Sequence, residues 1–261
     1  MMKTEIEVFH ADSLTGPMNL LKQEFEALHD DIEIRLTPGR SRELASEIGN
    51  GASCDIAAFS DEKVMMEEMM GKYIRGTDLK AASWYIVFSA NQMVLMVPKG
   101  NPLAIHGAQD LLRPGIQLIR VAGEKDLATY RTIEFIRKAA NQEGMPEIAE
   151  RMIETAVKAH TIPEAIQALR ENKGDSAIVY LSTAIAERQH FDYIPFPDSI
   201  NLSDQIRNVL SIPSTSRNRE AAMDYLRFVL SPAGRDILKQ AGQPPLFPFV
   251  KEGSIPSELD I

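Results

Sequence analysis

The chain has a single cysteine, Cys54, so it can form neither an internal disulfide nor a thiolate zinc centre. Its five histidines, His10, His29, His106, His160 and His190, are scattered without the short spacings of metal-ligating pairs. No apolar run approaches the roughly 18–20 residues of a membrane-spanning helix. Positive charge is also scarce: 37 Asp and Glu against 28 Lys and Arg leave a formal net charge of −9. With no basic stripe and no interleaved aromatics, nucleic acid and anionic membrane surfaces are excluded as partners, because phosphates reward positive charge. The signatures of nucleotide binding, serine hydrolysis and zinc hydrolysis (GxGxxG after a strand, the P-loop, GxSxG, HExxH) are absent. His10, Asp12 and Ser13 are neighbours only in sequence, which is not the spatial arrangement of a catalytic triad. An enzyme would therefore need a perturbed His or Cys in a cleft, and Cys54 and His10 both read as structural residues.

What is present is an ordinary globular composition, 44% hydrophobic and 25% charged over 261 residues. That length holds one large α/β domain or two lobes. Strand and helix signals alternate. IEVF (6–9) and IEIRL (32–36) read as strands, with Ile32, Ile34 and Leu36 on one face. Between them Met18, Leu21, Phe25 and Leu28 recur at helical spacing. A short helix is predicted over 41–49, a buried strand over 55–59, and a helix over 62–70 whose Met65, Met66, Met69 and Met70 pack into the core.

WYIVFSANQMVLMV (84–97) is too long for one ordinary strand and is interrupted at Ser89–Asn91, which reads as a crossing between lobes. Beyond it come strands at 116–121, 175–180 and 192–196, and helices at 128–141, 146–158, 162–171 and 183–189. An irregular return and a strand occupy 196–212, helices 217–230 and 232–241 follow, and the proline-rich tail QPPLFPFVKEGSIP wraps the surface. The alternation predicts mostly parallel α/β sheets. Two lobes are expected: 1–89 plus 206–261, built from both chain ends, and 90–205.

In open α/β sheets, ligands bind beyond the carboxyl ends of strands, where helix N-termini present unpaired N–H groups and partial positive charge. Four such places carry suitable groups. They are Ser13 and Thr15 after the first strand, Ser41 in TPGRSRE (37–43), Asp126, Thr129 and Tyr130 in VAGEKDLATYR (121–131), and Tyr180, Ser182 and Thr183 in VYLSTA (179–184). Each has a plain alternative as a helix cap. TIPE (161–164) is only that: Thr161 caps, Pro163 sits in the first turn and Glu164 completes a capping box. Several such ends facing one cleft describe a site for a small oxyanion, and for these four places capping and ligand binding both stay open.

VFHADSLTGPM, PGRSREL followed by CDIAAFSD, WYIVFSANQMVLMV, DLATYRT, DSAIVYLSTA, PDSINLSD and NREAAMDYLRFVLSPAGRDILKQAGQPPLFP occur in an order and spacing that resemble the molybdate/tungstate-binding solute receptors of ABC importers. The likeness is to the archaeal-type branch and covers nearly the whole chain. It implies a type II periplasmic-binding-protein fold, two α/β lobes joined by two crossing strands with a cleft between them. It also implies that Ser13 and Ser41 donate hydroxyls to the anion, that Ala128 donates its backbone N–H, and that Tyr180 contacts the ligand. Asp126 matches one of two carboxylates that complete six-fold coordination in that branch.

Three departures qualify the likeness. The second carboxylate falls at Val179, which cannot coordinate. Asp12 stands where the family has Gly or Ala, and places negative charge beside a dianion. The segment after SINLSD is shorter.

The expectation is thus an extracytoplasmic receptor, not an enzyme, that binds molybdate or tungstate as a tetrahedral anion and delivers it to an ABC permease. It needs no cofactor, and no metal beyond the anion's own. A monomer is expected, periplasmic or extracellular and membrane-anchored in its native form, with the leader absent from this chain. The alternatives are the same fold holding sulfate, thiosulfate or a small carboxylate, and a cytoplasmic ligand-sensing or storage module.

Overall fold

The computed structural model describes residues 3–124 and 126–259. Lys125, within the 121–131 segment singled out above, and the chain ends at 1–2 and 260–261 lie outside them. Along the chain, β1 (Thr4–Ala11) leads through a 3-10 turn (Asp12–Leu14) into α1 (Thr15–Leu28), and β2 (Ile32–Gly39) leads into α2 (Ser41–Gly49). β3 (Ile56–Phe59) precedes a short α3 (Glu62–Val64) that continues as a π-helical segment (Met65–Met70). β4 (Trp84–Ala90) and β5 (Met93–Pro98) are separated only by Asn91 and Gln92; of the interruption expected at Ser89–Asn91, Ser89 and Ala90 belong to β4. Next come α4 (Ala108–Leu111), β6 (Leu118–Val121), α5 (Leu127–Gln142), α6 (Pro146–Thr155), β7 (Val157–Ala159) and α7 (Ile162–Arg170). β8 (Ser176–Tyr180), α8 (Leu181–Ala186), β9 (Phe191–Ile194) and α9 (Asp198–Asn201) follow. The chain ends with β10 (Arg207–Ser211), α10 (Arg219–Leu230), α11 (Pro232–Gln240) and β11 (Pro245–Gly253).

Two compact units result, Met1–Ala90 with Ile206–Ile261, and Asn91–Gln205. The first holds a six-stranded sheet in the order β11-β4-β10-β3-β1-β2. Its inner strands β3, β4 and β10 are buried on both faces, so the sheet's apolar residues serve two separate cores. On one face Ile6, Val8 and Ile34 meet Met18, Leu21 and Phe25 of α1 and Tyr225, Leu226 and Leu238 of α10 and α11. On the other, Phe9, Ala57 and Phe59 meet Leu44, Ala45 and Ile48 of α2 together with Met65 and Met69. Helices on both faces of a sheet make a three-layer sandwich.

The second unit holds a five-stranded sheet in the order β7-β6-β8-β5-β9. Val94, Met96, Ile119, Ala177 and Val179 face α7 and α8 through Ala165, Leu169 and Ala184. Alternation puts Ile178 and Tyr180 on the opposite face. There α5, which buries Phe135, Ile136 and Ala139, reaches Tyr180 through Arg131.

Several expectations are corrected. The sheets are mixed: β1 pairs parallel with β2 and β3, and β6 with β7 and β8, but β10, β4, β11, β5 and β9 add on antiparallel. The helix expected over 146–158 stops at Thr155, and Val157–Ala159 forms an edge strand beside β6. Within the tail, residues Pro245–Gly253 form an edge strand, β11, which pairs with β4. Met66 is exposed rather than core, lying outside the Met65/Met69 stripe; Leu28, the last residue of α1, is also exposed.

Candidate functional site

In the first unit, register brings three strand ends to one level. Ala11 pairs with Gly39 across β1 and β2, and His10 with Ala58 across β1 and β3. The turn carrying Ser13, the N-terminus of α2 carrying Ser41, and Ser60 after β3 therefore share one end of the sheet. Ser13 is half-buried, and its carbonyl accepts from Gln243 Nε2 (3.1 Å), which pins the turn to the segment after α11. Ser13 does not cap α1. The residue flanking that helix is Leu14, no side chain caps it, and Thr15 Oγ1 donates instead to the Asp12 carbonyl (2.9 Å).

Ser41 is buried, and its hydroxyl accepts from the Ser60 N–H at 3.5 Å. A hydroxyl that accepts one bond keeps its own hydrogen to donate. Ser60, itself buried, is the residue that sequence reading missed in this unit. The only signal for it was a strand, DIAAF, ending in serine.

Asp12 is exposed, which places its charge in high dielectric, where a unit charge 4 Å away feels only about 1 kcal/mol. Beside it, burial keeps the His10 imidazole below its ordinary pKa, opposed more weakly by its bond to the Ala11 carbonyl (2.9 Å) and by the Asp12 charge. His10 is therefore a neutral structural group near neutral pH and supplies no cation. Cys54 is likewise inert: burial pushes its thiol pKa far up, and Sγ donates to the Ile56 carbonyl (3.1 Å). A concavity of about 490 Å³ in this unit, lined by Thr4, Asp31, Arg217, Asn218 and Glu220, lies at the opposite ends of β1 and β2, away from Ser13 and Ser41.

In the second unit the parallel pair β6 and β8 delivers two more loops to one sheet end. The loop after β6 is held tightly: Ala122 N–H donates to the Ala159 carbonyl (2.7 Å), and a Cβ on Gly123 would stand 2.3 Å from the His160 carbonyl. Only glycine allows that approach. Asp126 caps α5, its Oδ1 accepting the Ala128 N–H at 2.8 Å. Two predicted ligand groups are thus engaged with each other. Thr129 Oγ1 donates to the Gly123 carbonyl (2.8 Å), and Tyr130 is exposed.

After β8, Tyr180 is buried and its phenol oxygen accepts from Arg131 Nη1 at 3.0 Å. Arg131 is itself only 8% exposed. Ser182 in the first turn of α8 is buried and accepts from Asn91 Nδ2 (3.0 Å), while Leu181 N–H donates to the Gln92 carbonyl (2.8 Å). Val179 is fully buried in the core against α7 and α8, so position 179 offers no ligand. Arg131 and Asn91 were missed because their partners lie 49 and 91 residues away in sequence. Among the described residues no cluster of three or more His, Cys, Asp or Glu could hold a metal ion.

Chemically, each unit presents hydroxyl and backbone N–H groups at the carboxyl ends of strands, and among the described residues His10 and Cys54 are not activated as nucleophiles. The molybdate-binding protein of Mycobacterium tuberculosis is 25% identical over 248 residues, covering 91% of this chain and 83% of that protein. The molybdate/tungstate-binding protein of Pyrococcus abyssi is 22% identical over 310 residues, with 97% and 88% covered. The substrate binding domain of a putative molybdenum ABC transporter from Clostridium difficile superposes with a TM-score of 0.74 at 18% identity, over 94% of this chain and 100% of that one. The fold is that of type II periplasmic binding proteins. The description of bacterial extracellular solute-binding proteins matches residues 6–243, and the chain belongs to that family, one of solute receptors rather than enzymes.

Proposed function

We propose that this solute-binding protein captures a tetrahedral group-6 oxyanion, molybdate or tungstate, outside the cytoplasmic membrane and hands it to the permease of an ABC importer. Ser13 and Ser41 supply hydroxyl donors from one unit. Tyr180 and the N-terminus of α5 at Ala128 supply donors from the other. The observation that carries the reading is that both units set neutral donors at the carboxyl ends of parallel strands. That is the arrangement an oxyanion needs, and the relatives named for molybdate and tungstate match nearly the whole chain. Charge-assisted hydrogen bonds of about 1.5–3 kcal/mol each outweigh the screened repulsion of an exposed Asp12. With Val179 locked in the core, hydrogen bonding to a four-coordinate anion is favoured over six-fold coordination of the metal.

Calorimetry and thermal unfolding with molybdate, tungstate, sulfate, thiosulfate, phosphate and vanadate test this. A true ligand at 1,000-fold excess over its Kd adds about 4 kcal/mol of stability. Binding of molybdate or tungstate with no response to the smaller anions is expected. A sulfate or thiosulfate response alone would reassign the ligand while keeping the receptor. Purely hydrogen-bonded coordination makes that the second reading, since it discriminates by size and charge and not by metal chemistry.

A further inference from the structure

We propose that Arg131 makes the second unit selective for doubly charged anions by holding Tyr180 as a one-way donor; this rests on the oxyanion reading above. Arg131 projects from the first turns of α5, and its guanidinium is buried on the sheet face that carries Tyr180. Its Nη1 lies 3.0 Å from the phenol oxygen, and its Cζ lies 5.7 Å from the ring centroid. A guanidinium has only donors, so the phenol oxygen is the acceptor in this bond. The single phenol hydrogen then has to leave in another direction. A free tyrosine can turn to donate or accept. Tyr180 beside Arg131 is committed to donating, which matches an anion and penalises a ligand that itself donates a proton.

The cation also adds a permanent charge. A buried guanidinium sits in lower dielectric than a surface one, so its field on a nearby anion is screened less. The interaction energy scales with ligand charge, so a dianion gains twice what a monoanion of the same shape gains. Charge is then sensed by Arg131 through Tyr180. Nothing else among the predicted site residues carries positive charge: Ser13, Ser41, Ala128 and Tyr180 are neutral, and Asp12 and Asp126 are carboxylates. Arg131 is a positioning residue, and its test must separate charge selection from mere support of α5.

The probe pair is tungstate and perrhenate, tetrahedral oxyanions of nearly equal size that differ by one charge. Affinities for both are measured by calorimetry, with perrhenate by competition, on the full chain and on Arg131→Met, Arg131→Lys and Tyr180→Phe. Arg131→Met is expected to weaken tungstate by about 10-fold or more and perrhenate by no more than about 3-fold, lowering the ratio of affinities. Arg131→Lys, which restores the charge, is expected to recover most of the ratio. A purely structural role would weaken both anions equally, or weaken neither, and either result overturns the inference. Should Arg131→Met fail to fold, Tyr180→Phe keeps the core aromatic and removes only the hydroxyl; a ratio unchanged from the parent chain overturns the inference there. If the parent chain binds neither molybdate nor tungstate, the receptor reading fails and this inference with it. Binding with an unaltered ratio removes this inference alone.

Discussion

At Asp126 the carboxylate and a bound anion would compete for the same Ala128 N–H. The carboxylate caps α5 at 2.8 Å, so an anion arriving at that helix end displaces it or shares the donor with it. Asparagine caps helices about as well as aspartate, and it carries no charge. Asp126→Asn is therefore expected to tighten tungstate binding by roughly 5–10-fold, the effect of removing about 1 kcal/mol or more of repulsion. The stability of the unliganded chain should change by less than about 1 kcal/mol. Calorimetry on the variant decides the role: a loss of affinity of tenfold or more would make Asp126 a direct ligand of the metal. The same residue shows what sequence could convey here. Asp before a helix, two residues ahead of an alanine, was legible as a cap or as a ligand, and only the bond distance shows which bond it makes without ligand.

Among the elements, what was legible tracks pattern length. α1, α5 and α10 carry several turns of apolar spacing, and β1 and β2 end in the small and hydroxyl residues that mark a turn, so their places followed from the sequence. β7 has three residues and follows a helix whose apolar period runs straight into it. β11 carries Pro245 and Pro248, which argue against a strand, yet prolines are tolerated at a sheet edge and at irregularities. β11 lies at the edge, and its register against β4 shifts between Pro245 and Val250. The four loops proposed for the site could be placed from the sequence, because caps and strand ends are local. Ser60, Asn91 and Arg131 could not, since each matters through a partner far along the chain.

Caps that belong to no ligand group give a clean contrast. Ser231 Oγ accepts from the Gly234 N–H (3.2 Å) and donates to the Phe228 carbonyl (2.7 Å), closing the start of α11. Ser231→Ala is expected to cost about 1 kcal/mol, lowering the melting temperature by roughly 2–4 °C, with oxyanion affinity unchanged. A change in affinity comparable to the change in stability would mean that α11 is coupled to the Ser13 turn through Gln243.

For the whole molecule, the net charge of −9 and the proposed dianion repel one another at long range, while local donors hold the ligand once it arrives. The two ranges respond differently to salt. Raising ionic strength from about 0.01 to 0.15 M shortens the Debye length from about 30 to 8 Å. Repulsion between the ligand and distant carboxylates is then screened, whereas hydrogen bonds of about 3 Å are not. The association rate of tungstate is therefore expected to rise several-fold over that range, with the dissociation rate nearly constant. This is the reverse of the decline seen when opposite charges steer a ligand in. Stopped-flow measurement of the intrinsic fluorescence of Trp84 and the tyrosines, at fixed pH with an inert salt, follows both rates. A rate that falls with salt would show that the local field at Arg131 dominates the approach of the ligand as well as its retention. Arg131→Met should then abolish the fall.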